Sequence, residues 1–264
     1  MLQSARGLDE LGVFNIGVNM GSVMNLLVGA FTTAWTPFFL SFSQRQEEGR
    51  TLLGRLTGYY VLGFGLISLL FYVAARPLVL LLTAEPYHGA FLSVGPTATA
   101  QFLTGIFSML LPAMYFAKEV NYLVVVQTAA VLVAIAFGFA AIPTLGVLGA
   151  AVTPVVGMLA MVVAQAVWNY SRRGRYLQIT YPWMRMIIFG VGYVLIAGLL
   201  LWDRRFSLVQ DVVYCGIVGI LATLLVVILI PAEDRRAGIE LLDLRVRSLR
   251  EKLHPSVDES KLRA

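Results

Sequence analysis

An all-α fold, a polytopic transmembrane helix bundle of about seven spans, is what this sequence predicts. Three observations carry that prediction. Of 264 residues, 58% are hydrophobic and 13% charged, whereas a soluble domain carries about a quarter charged residues. The mean hydropathy of +0.79 implies more apolar surface than a body of this size can hide. The apolar residues also fall in charge-poor runs close to the ~20 residues that cross a hydrocarbon core. Inside lipid every backbone amide must be bonded within its own segment, so each run is a helix.

The runs follow in order as 13–41, 56–83, 91–116, 122–142, 145–168, 183–202 and 212–230. The first begins after Asp9 and Glu10 and ends at the polar stretch leading to Arg45. Arg55 and Glu85 flank the second, and Glu85 and Lys118 flank the third. Apolar sequence then runs unbroken by charge from Tyr122 to Trp168, too long for one crossing, and is divided by Ile142-Pro143-Thr144-Leu145-Gly146. Pro143 lacks a donor and restricts the residue before it, so it is expected to stop one helix. Gly146 and Gly149 are expected to let the next helix begin tightly against its neighbour. The sixth run opens at Trp183 and ends before Asp203; the seventh lies between Asp211 and Glu233.

Lysine and arginine set the orientation of such a bundle. With the N-terminus outside, inside segments hold Arg45, Arg50, Arg55, Lys118, Arg172, Arg173, Arg175 and Arg185, whereas outside segments hold only Arg6, Arg76, Arg204 and Arg205. Eight further lysines and arginines follow the last run. The net charge of +5 is therefore read as topology, N-terminus outside and C-terminus cytoplasmic, and not as nucleic-acid binding. An outside N-terminus, no signal peptide and an odd span count predict an upstream crossing, so that this chain is the C-terminal portion of a larger protein.

The chemistry-bearing residues point away from an enzyme. All fifteen carboxylates fall in loops, at helix ends or in the tail, so no proton relay or buried ion pair is expected. One cysteine and two histidines supply neither a disulfide framework nor a metal signature. Cys215 is expected to be an inert apolar residue, and no cofactor is implied. Uncharged polarity remains at depth: Asn15, Asn19 and Asn25 in the first run, Gln101 in the third, Gln127 in the fourth and Gln165 in the fifth. Two readings stand for them. They bond between helices, or some line a hydrated path for a polar, uncharged cargo. Prolines 37, 77, 96, 112 and 154 recur within or near the ends of the spans, as in helices that bend to open a central cavity. Arg76, beside Pro77, is expected to snorkel to the interface or to meet an anionic headgroup. Residues 1–231 thus form the bundle. Residues 232–264 form a cytoplasmic tail, in which Ile239, Leu242, Val246, Leu249 and Leu253 make one apolar helical face before a disordered end.

Two stretches carry a resemblance. Residues 12–41, with Gly12-Val13-Phe14 at one end and Trp35-Thr36-Pro37-Phe38 at the other, resemble a helix of polysaccharide flippases. Residues 117–154, a short lysine-containing turn, an apolar helix and Ile142-Pro143, Gly146, Gly149, Ala150 and Ala151, are similar to an adjacent helix pair of that family. The family is the lipid-linked oligosaccharide (O-antigen type) flippases of the multidrug/oligosaccharidyl-lipid/polysaccharide exporter superfamily, and the likeness covers most of residues 9–170. It implies two pseudo-symmetric lobes around a central cavity, with this chain as the C-terminal lobe of a two-lobed transporter in a bacterial cytoplasmic (inner) membrane. It also implies a lipid-linked oligosaccharide as cargo for surface polysaccharide (lipopolysaccharide O-antigen) synthesis, with membrane lipids and a missing N-terminal lobe as partners. On this reading Asn15, Asn19, Asn25, Gln101, Gln127 and Arg76 belong to the substrate path. Trp35, Pro37, Pro112, Pro143, Gly146 and Gly149 belong to motifs and hinges. The chain departs from the family in having only apolar residues from Val131 to Ala136. A multidrug/cation antiporter of the same superfamily, a membrane-embedded polysaccharide-modifying enzyme and an inactive remnant are the alternative expectations.

Overall fold

The apolar runs fold as helices throughout the computed structural model, which describes residues 2, 7–171, 179–201 and 208–230. No strand occurs among them. In chain order the helices are α1 (Leu8–Gly21), α2 (Val23–Leu40), α3 (Gln46–Leu82), a 3₁₀ turn (Glu85–Ala90), α4 (Phe91–Phe116), α5 (Tyr122–Leu145), α6 (Val147–Ser171), α7 (Trp183–Leu201) and α8 (Leu208–Leu229). Seven of these, α2 to α8, are long and apolar enough to cross a membrane. The chain divides into two units, Met1–Val226 and Val227–Ala264. Everything below concerns the first unit. The expected tail helix, residues 232–264, lies outside the described residues.

α4 is the hub. α1, α2, α3 and α6 pack around it, and 61% of its spanning stretch is buried against at most 33% for the others. A helix so enclosed carries hydroxyls at least cost where they are bonded, as two of its buried ones are. Ser93 donates to the carbonyl of Ala90 at 3.0 Å and Thr99 to that of Gly95 at 3.1 Å. α5 and α6 form an antiparallel hairpin beside the hub. On α5, Ala130, Ala134 and Gly138 recur every four residues; on α6, Gly149, Thr153 and Gly157 do the same. Stripes of small residues let helix backbones close in where lipid gives no hydrophobic drive. A Cβ at Gly149 would lie 2.5 Å from the Ala141 carbonyl oxygen.

Three expectations shift. The first run is not one straight rod: it breaks at Gly21-Ser22 into α1 and α2. Gly21 touches α4 so closely that a Cβ would meet the Val94 carbonyl at 2.5 Å. The Asn25 N–H then bonds back three residues to Ser22 at 2.8 Å, the tightening that a Gly-Ser pair permits. Asn15 and Asn19 therefore sit on α1 and only Asn25 on the spanning α2. Second, Pro143 does not stop α5. It lies inside the last turn, and the helix ends at Leu145 because Gly146 turns to φ 55°, ψ −126°. That backbone state favours glycine, and a proline near a C-terminus forfeits one bond without ending the helix. Third, α3 begins at Gln46 rather than at 56. At 37 residues it is ~55 Å long, well beyond the ~30 Å hydrocarbon core, so its charged first turns stand in water.

Candidate functional site

α1–α2 and α4 run parallel and in register: Gly21 sits against Val94 and Thr97, and Trp35 against Ser108. Four residues on from the Gly21–Thr97 contact, Asn25 in the first turn of α2 and Gln101 midway along α4 fall in one register. The buried face of α2 carries Met24, Val28, Trp35 and Phe39. One flank is aromatic and turned to α3, where the Phe31 ring lies 5.0 Å from Tyr60 and 5.2 Å from Phe64. The other flank carries Asn25, Thr32 and Thr36, at spacings of seven and four. Beside it, α4 shows a stripe of half-buried residues, Gln101, Thr104 and Ser108, at spacings of three and four. Two polar stripes thus border one seam on the side away from α3.

The hydroxyls in this seam are donors to their own helices. Thr32 bonds Gly29 at 3.1 Å, Thr36 bonds Thr32 at 3.3 Å, Thr104 bonds Ala100 at 2.9 Å and Ser108 bonds Thr104 at 3.1 Å. Their oxygens remain free to accept. The amides differ. Among the described residues, Asn15, Asn19, Asn25, Gln101 and Gln127 make no side-chain hydrogen bond. Interhelical bonding, one of the two readings, is seen for Gln165 and for none of these five among the described residues. An amide transferred unbonded into an apolar phase costs roughly 2–7 kcal/mol, so the half-buried, mid-span Gln101 calls for water or a polar solute beside it. Gln165 behaves in the opposite way: it is buried, bonds Asn169 at 3.1 Å, and the pair cap the Leu110 carbonyl at 3.5 and 3.1 Å.

On α1, Leu11 and Phe14 pack on Ile142 and Ala150 beside the α5–α6 turn, and a Cβ at Gly146 would lie 2.7 Å from a Glu10 carboxylate oxygen. α2 makes no comparable packing with α5 or α6. α1 thus packs against the α5–α6 turn, whereas α2 stands clear of α5 and α6.

Trp35 and Pro112, singled out separately in the sequence, meet here. Pro112 has no N–H, so the Ser108 carbonyl loses its helical partner. The Trp35 indole N–H supplies one at 3.0 Å. Pro37 lies exposed in the last full turn of α2. Arg76 is half-buried near the end of α3 with its guanidinium 5.5 Å from the Phe91 ring centroid, a cation–π contact. Asn15 and Asn19 are exposed on α1, and Gln127 is exposed on α5; the structure does not gather these three with Asn25 and Gln101. Cys215 is buried.

Sequence reading passed over Thr32, Thr36, Thr104 and Ser108, although their helical spacing was visible. It also passed over a buried hydroxyl cluster: Tyr193 on α7 bonds Ser68 of α3 at 2.7 Å and Thr99 of α4 at 2.6 Å, and Tyr72 bonds Thr99 at 2.8 Å. Closed on itself and fully buried, this cluster ties three helices together. Just before α7, Tyr181 donates to the Met109 carbonyl at 3.5 Å. Burial pushes its phenol well above the usual value, so it stays a donor at any physiological pH. No family model, curated protein or solved structure matches this chain.

Proposed function

We propose that this chain is one lobe of an alternating-access transporter that moves a lipid-linked oligosaccharide across a bacterial cytoplasmic membrane, its N-terminus outside. A sugar headgroup cannot cross hydrocarbon unaided, because each unpaired hydroxyl costs several kcal/mol. A cleft that offers free amides and hydroxyl oxygens, and no charge, replaces water for such a group while its lipid tail stays in the bilayer. The observation that supports this reading is the pair Asn25 and Gln101. They fall in one register beside the seam, and neither makes a side-chain bond to another described residue.

The test is Asn25→Leu with Gln101→Leu in the native host. Surface polysaccharide is expected to fall about tenfold or more, equivalent to ~1.4 kcal/mol on a rate-limiting barrier. Membrane abundance and melting temperature should hold, since no bond between described residues is lost. Wild-type polysaccharide in the double variant removes the reading.

A further inference from the structure

Two buried polar atoms on α6 have no partner among the described residues: the Gln165 oxygen Oε1 and the Trp168 indole N–H. Gln165 is fully buried and Trp168 is 5% exposed. Turning the Gln165 amide round does not cure its half of this. Its nitrogen donates to Asn169 Oδ1 at 3.1 Å and to the Leu110 carbonyl at 3.5 Å, and both of those oxygens only accept. A flipped amide would set oxygen against oxygen twice. Asn169 is committed as well, its own nitrogen donating to the Leu110 carbonyl at 3.1 Å. The Trp168 ring packs on Met114 and Ala117, with Ala113 and Leu123 close by, and these side chains are apolar.

Residues three apart share a face of a helix, so Gln165 and Trp168 stand together against α4. Helical side chains lean toward the N-terminus, which lays the Trp168 ring back over the turn that carries Gln165. An acceptor and a donor, each costly to bury unpaired, are thus one turn apart. One water molecule satisfies both, accepting from the indole and donating to Gln165 Oε1. Its second O–H is left for a backbone carbonyl, within the two to four partners that a buried water takes. An ion does not suit the place, because its charge would stay unpaired. Pro112 supplies the reason for polarity here. It removes an N–H from the hub helix, and membrane helices interrupted by proline are repaired by neighbouring side chains and ordered water. Trp35 of α2 repairs the Ser108 carbonyl at 3.0 Å, and the Gln165–Asn169 pair caps Leu110 from the α6 side. We infer that one internal water joins Gln165 Oε1 to the Trp168 indole and completes this brace of the Pro112 turn. The site is separate from the polar seam and independent of the transporter reading.

The experiment is X-ray hydroxyl-radical footprinting of the full chain in lipid nanodiscs, in which a bound water oxidises the buried side chain it touches. Trp35 is the internal control. It is as buried as Trp168, at 4% exposed, but its indole already bonds the Ser108 carbonyl. Trp168 is expected to oxidise several-fold faster than Trp35. Gln165→Met keeps the side-chain length and removes the acceptor, so Trp168 oxidation should fall to the Trp35 rate. A second measurement needs no change at Gln165: the ultraviolet resonance Raman difference between the wild-type chain and Trp168→Phe isolates one indole, expected to be hydrogen-bonded. Equal oxidation of Trp35 and Trp168 in the wild-type chain overturns the inference, even with a bonded indole, since Gln165 would then hold it directly. A free indole does so too, as does a Trp168 rate that Gln165→Met leaves unchanged.

Discussion

The Trp35 indole is the clearest case of a single side chain tied to a backbone need. It donates to the Ser108 carbonyl at 3.0 Å, which Pro112 leaves without a helical donor. Trp35→Phe keeps most of the ring and removes the donor, so about 1–3 kcal/mol of stability should be lost, the usual cost of a stranded buried acceptor. In a Pro112→Ala background the helix supplies its own N–H, and the same substitution should cost measurably less. A double-mutant cycle on unfolding midpoints in mixed micelles reads the difference; additive costs would show the two residues uncoupled. Asn25 and Gln101 stand at the other extreme, with no side-chain partner among the described residues, which is why their replacement by leucine should change activity and spare stability.

At the scale of helices, the α5–α6 hairpin depends on small residues every fourth position. Gly149→Ala brings a methyl carbon to 2.5 Å from the Ala141 oxygen. That atom is backbone and cannot step aside, so a loss of about 1–3 kcal/mol is expected from overpacking. Gly29 on α2 is the control, because a Cβ there meets nothing within 4 Å. Gly29→Ala should be neutral or stabilising by ~0.5–1 kcal/mol, as it removes backbone freedom from a helix interior. Melting of the two variants in detergent should move in opposite directions; equal losses would remove close packing as the explanation. The hairpin also shows what local rules miss. Pro143 reads as a stop, yet α5 runs through it to Leu145, since the positive φ of Gly146 is the stronger terminator and packing against α6 outweighs one missing bond.

For the molecule as a whole, two outcomes are expected. The orientation inferred from arginines places the 3₁₀ turn outside and the α2–α3 connection inside. With Cys215 replaced by alanine, Glu85→Cys should react with an impermeant maleimide on intact cells, and Gln44→Cys only after permeabilisation; both positions are exposed. The reverse pattern would turn the bundle over. A lobe that rocks as one body against a second lobe keeps the packing of Leu11 and Phe14 on Ile142 and Ala150. Joining Leu11→Cys to Ala150→Cys by oxidation should therefore leave polysaccharide export running. Export that stops on oxidation and returns on reduction would mean that this packing opens within the lobe.

The number of crossings and the helical class follow from composition and periodicity alone, because in lipid the backbone has only one way to bond itself within a single span. Which polar residues matter is a different kind of question. Asn25, Gln101 and Gln165 look alike in a string of apolar letters. Packing buries Gln165 against Leu110 and leaves Asn25 and Gln101 beside an open seam. The pairing of Trp35 with Ser108 spans 73 residues, and the break at Gly21 answers to Val94 and Thr97 on another helix. These are contacts between distant segments, and no local pattern encodes them. Hydropathy drives each rod into the bilayer, while side-chain volume and free hydrogen-bonding groups decide which faces meet and which stay open.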